Sequence, residues 1–65
     1  MKFNKNDRVL VNWNDSDYLK RFGSEATLVR YASSGFDNEK LKAQVELDGL
    51  KGQLISIDED MLTGI

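Results

Sequence analysis

In the stretch KAQVELD (residues 42–48) apolar and polar side chains alternate without a break, with Ala43, Val45 and Leu47 set against Lys42, Gln44 and Glu46. A period of two belongs to a strand with one buried and one wet face; the stripe of an amphipathic helix repeats about every 3.6 residues. Similar patterning recurs elsewhere in this 65-residue chain. DRVLVNW places Val9, Val11 and Trp13 on one face, opposite Arg8, Leu10 and Asn12. EATLVRY places Ala26 and Leu28 opposite Thr27, Val29 and Tyr31. GQLISI is rich in β-branched residues and reads as a partner strand over Gln53–Ile57, with a short fifth strand at Met61–Thr63.

The connections carry their own signals. Asp-Gly between two alternating segments predicts a two-residue hairpin of type I′, which needs positive φ at both central residues. With Asp48 and Gly49 at the tip, Leu47 is expected opposite Leu50, Glu46 opposite Lys51, and Ala43 opposite Leu54. Leucines then meet on the buried face and opposite charges on the wet one, so the turn reads as scaffold. Asn14–Ser24 (NDSDYLKRFGS) is long for a hairpin, and its centre predicts one helical turn with Ser16 as N-cap and Gly23 as its stop. Ala32–Lys40 reads as a polar loop carrying Phe36, and Asp58-Glu59-Asp60 as a 3-10 turn before the last strand. Residues 1–65 therefore predict a single all-β domain of five short strands, bent strongly enough to form a small barrel.

Composition narrows the chemistry. Nine Lys and Arg against eleven Asp and Glu give a net charge of −2, which argues against wholesale phosphate binding. Neither cysteine nor histidine occurs, removing thiol nucleophiles, imidazole bases and the usual zinc ligands together. The acidic clusters Asp15/Asp17 and Asp58-Glu59-Asp60 lack the ligand spacing and glycine of a calcium loop. No glycine-rich phosphate loop or candidate triad is present either, so we read the chain as noncatalytic, with no cofactor and no metal. MKFNKNDR lacks the apolar core of a signal peptide, and the longest apolar run, Val9–Val11, is far too short to span a bilayer. A cytoplasmic protein is expected.

Two segments carry a family resemblance. FNKNDRVLV is similar to the FKKGD-R-hydrophobic-x-hydrophobic segment that opens a core strand in Src-homology-3-like small barrels. KAQVELDGLKGQLISIDEDML is similar to their distal hairpin, 3-10 turn and final strand; together the two cover roughly half of the chain. The resemblance implies a five-stranded, strongly bent Src-homology-3-like barrel. It does not imply proline-peptide binding, because Ile55-Ser56-Ile57-Asp58 stands where that branch carries Pro-Ser-Asn-Tyr. VNW, EATLV and VELDG also resemble Tudor domains, which hold methylated side chains in aromatic cages. GSEATLV resembles KOW-type barrels of the translation and transcription machinery, with Ala26 in place of their glycine.

The aromatic residues are Phe3, Trp13, Tyr18, Phe22, Tyr31 and Phe36. In so small a domain Phe3, Trp13 and Tyr31 are expected in the core, with Tyr18 and Phe22 closing its open end. Tyr18-Leu19-Lys20-Arg21-Phe22 is the place where adjacent bases are flanked by aromatics. The first functional expectation is a protein-binding module using its long loops, with Tyr18, Phe22 and Phe36 as apolar anchors and Lys20 and Arg21 as polar rim. The alternative is an RNA- or single-stranded-DNA-associated barrel using Tyr18, Lys20, Arg21, Phe22 and Lys42, with Lys40 extending the basic patch. The Ile55/Ile57 strand adds a third expectation, self-association or strand addition.

Overall fold

Each alternating segment forms a strand, and among the described residues a short helix lies between the first two. A computed structural model of the protein describes residues 2–32 and 41–65. In chain order the elements are β1 (Arg8–Val11), α1 (Ser16–Phe22), β2 (Glu25–Ala32), β3 (Lys42–Leu47), β4 (Ile55–Ile57), a 3-10 turn (Glu59–Met61) and β5 (Leu62–Gly64). The expected polar loop with Phe36 and Lys40 lies outside the described residues.

The strands form one antiparallel sheet in the order β4-β3-β2-β1-β5. One side of it buries Val9, Val11, Ala26, Leu28, Ala43, Val45, Leu47, Ile57 and Leu62. These include the inward rows expected of the first three strands. Phe3, Trp13, Phe22, Tyr31, Leu50, Ile55 and Met61 pack around that core, partly buried. One departure comes from a bulge in β2. Leu28 pairs with Val45 and Arg30 with Gln44, leaving Val29 as the extra residue. An extra residue reverses the alternation beyond it. Tyr31, expected on the face opposite Leu28, thus pairs with Ala43 and joins the core side.

The Asp48-Gly49 hairpin requires correction. Ala43 pairs with Ile57, Gln44 with Ser56 and Val45 with Ile55, so Ala43 meets a residue three positions beyond the expected Leu54. A slip by an odd number exchanges the faces of a strand. Ile57 is buried and Leu54 is 45% exposed. A turn does form, with Leu50 N–H donating to Leu47 C=O at 3.0 Å, but neither Asp48 nor Gly49 has the positive φ of type I′. Tertiary contacts claim both residues. Asp48 N–H donates to Glu25 C=O on β2, and its carboxylate accepts from the two terminal nitrogens of the Arg8 guanidinium at 2.9 and 2.6 Å. Gly49 lies against α1, where a Cβ would stand 2.5 Å from the Phe22 carbonyl oxygen. Glycine is required here for close approach, not for φ.

Closure of the barrel also requires correction: the sheet is open, with β4 and β5 as its edges. Each is three residues long, and the 3-10 turn carries the chain from one edge to the other, leaving too little strand to complete a ladder. Element limits shift slightly as well. Asp15, rather than Ser16, caps α1 by accepting from Asp17 N–H, while Gly23 ends the helix at φ 71° as expected. Strand β4 begins at Ile55 rather than Gln53, and β5 at Leu62 rather than Met61. The 3-10 turn starts at Glu59, with Asp58 as its N-cap.

Candidate docking site

The open side of the sheet becomes a groove because α1 stands across from β4. Two contacts fix the helix there, and a third holds the turn that bears on it. Trp13 Nε1–H donates to Gly23 C=O at 2.8 Å, and Gly49 abuts the backbone of Phe22. Arg8 ties the Asp48-Gly49 turn to β1 and also donates to Thr27 Oγ1 at 2.8 Å. The Arg8 guanidinium holds the Asp48 carboxyl below the usual carboxylate range, chiefly through these hydrogen bonds.

On the helix side the rings form one wall. Tyr18 and Phe22 lie one helical turn apart and stack, with centroids 6.2 Å apart and planes inclined by 20°. Trp13 continues the row, 5.3 Å from Tyr18 and tilted by 38°. Ile55 and Ile57 of β4 and Met61 of the 3-10 turn complete the lining, and Lys42, Ser56 and Asp58 rim a groove of about 440 Å³. At the rim, Lys42 Nζ lies 3.8 Å from Asp58 Oδ1, both side chains about half exposed.

The expected site residues therefore divide. Tyr18, Phe22 and Lys42 meet at the groove. Lys20 and Arg21 instead border a neighbouring hollow on α1, of about 530 Å³, together with Tyr18, Asp15 and Asp17. Two bases and two acids thus share that hollow. Phe36 lies outside the described residues. Sequence reasoning favoured the core for Trp13 while leaving a contact role open, and it did not name Met61, Ser56 or Asp58 as site residues. The β-branched row of GQLISI was the available signal for the opposite wall. No helix among the described residues is long and apolar enough to cross a membrane.

The other acidic group serves the fold. Glu59 Oε2 accepts from the Lys2 backbone N–H at 2.9 Å and from the Tyr31 hydroxyl at 2.7 Å, binding the start of the chain to the 3-10 turn. These bonds lower the Glu59 carboxyl from its ordinary value, while burial, followed by the bond to Glu59, raises the Tyr31 hydroxyl. Comparison of the chain with protein-family models, with curated proteins and with solved structures finds no match, so the geometry of the molecule itself carries the functional argument.

Proposed function

We propose that this protein is a noncatalytic interaction module that docks a protein partner in the groove between α1 and β4. One observation carries the reading: Trp13, Tyr18 and Phe22 face Ile55, Ile57 and Met61 across the unclosed side of the sheet. Apolar, aromatic-lined concavities with a polar rim are favourable docking places, because a partner releases water from several large side chains at once. We further read the fold as a Src-homology-3-like small barrel whose seam is open. The strand order and the 3-10 turn before β5 support that reading.

Nucleic-acid binding is less well supported. Lys20 and Arg21 share their hollow with Asp15 and Asp17, and Lys42 lies beside Asp58, so no continuous cationic track follows the exposed ring of Tyr18 among the described residues. The test is selection of a random peptide library on the immobilised protein, followed by amide NMR mapping of the enriched peptides. Shifts centred on Trp13, Tyr18, Phe22, Ile55 and Ile57 that persist in high salt are expected. If only a mixed-sequence RNA gives shifts, at residues 18–22 and Lys42 and reversed by salt, the nucleic-acid reading replaces this one.

A further inference from the structure

Strand β4 pairs with β3 along one edge and borders the groove with the other. The ladder determines which backbone groups face outward. Asp48 N–H donates to Glu25 C=O, so in β3 the alternate residues Glu46, Gln44 and Lys42 direct their backbone groups toward β2. Ala43 and Val45 then direct theirs toward β4, where Ile57 and Ile55 stand opposite. Ser56, between those isoleucines, turns its N–H and C=O away from the sheet. Neither group enters a backbone hydrogen bond with another described residue outside the ladder. The opposite edge of the sheet is less accessible. Leu62 N–H donates to Glu59 C=O, and Phe3 Cε1 lies 3.4 Å from where a Cβ on Gly64 would stand.

Resting on the docking reading above, we propose that the partner adds an extended segment antiparallel to β4, pairing with Ser56 and filling the seam of the sheet. One residue of that segment exchanges two hydrogen bonds with Ser56. Its two neighbours, opposite Ile55 and Ile57, point to the core side and enter the groove beside Trp13, Tyr18 and Met61. The central side chain lies on the wet face, where Arg30 bonds Gln44 and Gln44 Nε2 reaches Ser56 Oγ at 3.5 Å. A hydroxyl or amide there extends this polar row. Opposite Asp58 a cation continues the Lys42–Asp58 pair, and opposite Leu54, which is exposed, an apolar residue is matched. From its N-terminus the segment therefore reads basic, apolar, hydroxyl or amide, apolar, apolar. A second copy of β4 fits less well. With Ser56 opposite Ser56 it sets Asp58 against Leu54 and offers that carboxylate no cation.

The probe is a glycine-flanked peptide reading lysine-valine-threonine-valine-leucine, titrated into the isotope-labelled protein. We expect it to slow hydrogen exchange of the Ser56 amide by about tenfold at saturation. N-methylation at its threonine nitrogen should weaken binding by about tenfold, because the Ser56 carbonyl loses its donor. Exchange of its lysine for glutamate should also weaken it. Peptides that bind the groove without protecting Ser56 overturn strand addition and leave the docking reading standing. Failure of the alternating peptide, when library-selected peptides do bind the groove, has the same meaning. Protection of Ser56 by self-association without peptide assigns the edge to a second copy and overturns the proposal. If peptides of every kind leave the groove unshifted, the docking reading itself fails.

Discussion

At the scale of single residues, Gly49 and Asp48 decide how α1 meets the sheet. A methyl group on Gly49 collides with the backbone of Phe22, which has no flexible end to move aside. Gly49→Ala should therefore cost about 1–3 kcal/mol, read as a lower urea midpoint at unchanged slope. It should also shift the amides of α1, which a purely local turn effect leaves still. Asp48 and Glu59 both have carboxyls held below their ordinary values by hydrogen bonds. A depressed acid contributes stability above its unfolded pKa and loses it as pH falls through the folded one. Stability should thus begin to fall below about pH 4, and Asp48→Asn should flatten that acid limb in urea melts collected at successive pH values. Tyr31 has the opposite sign: its hydroxyl is raised, so the associated stability fades as pH climbs beyond about 10. Tyr31→Phe should remove that alkaline contribution.

At the scale of elements, α1 is the part most dependent on its surroundings. Seven residues are too few to hold a helix in water without tertiary support. Its order rests on the Asp15 cap, the Gly23 stop and the contact with Gly49. Asp15→Ala should cost about 1 kcal/mol, and amide exchange should accelerate at Leu19 and Lys20 before it does in β2 or β3. The strands illustrate what alternation reveals and what it conceals. The inward rows of β1 and β3 were legible because burial on one face imposes a period of two. The register of β3 with β4 was not. The hairpin rule considers only the two tip residues, whereas Arg8 and Phe22, far away in sequence, claim Asp48 and Gly49. The groove was half legible for the same reason: Tyr18 and Phe22 announced themselves as rings in a loop. Ile55 and Ile57 become its other wall only in the register that the hairpin rule did not give.

At the scale of the whole molecule, the single tryptophan lies on the groove wall and offers a direct probe of its occupancy. Docking should dry the Trp13 ring and shift its emission to the blue, while a ligand confined to the Lys20/Arg21 hollow should leave it nearly unchanged. The pairing of β1 with β5 has a different kind of consequence, one of timing. Val9 lies opposite Gly64, so the sheet joins residues far apart in sequence. Contacts so distant in sequence give back their free energy only after a long loop has closed, which slows folding relative to a helical bundle of the same length. On a ribosome, β1 can pair with β2 early, yet its other edge waits until Leu62–Gly64 have emerged. Until then Val9 and Val11 belong to a sheet that lacks one of its sides.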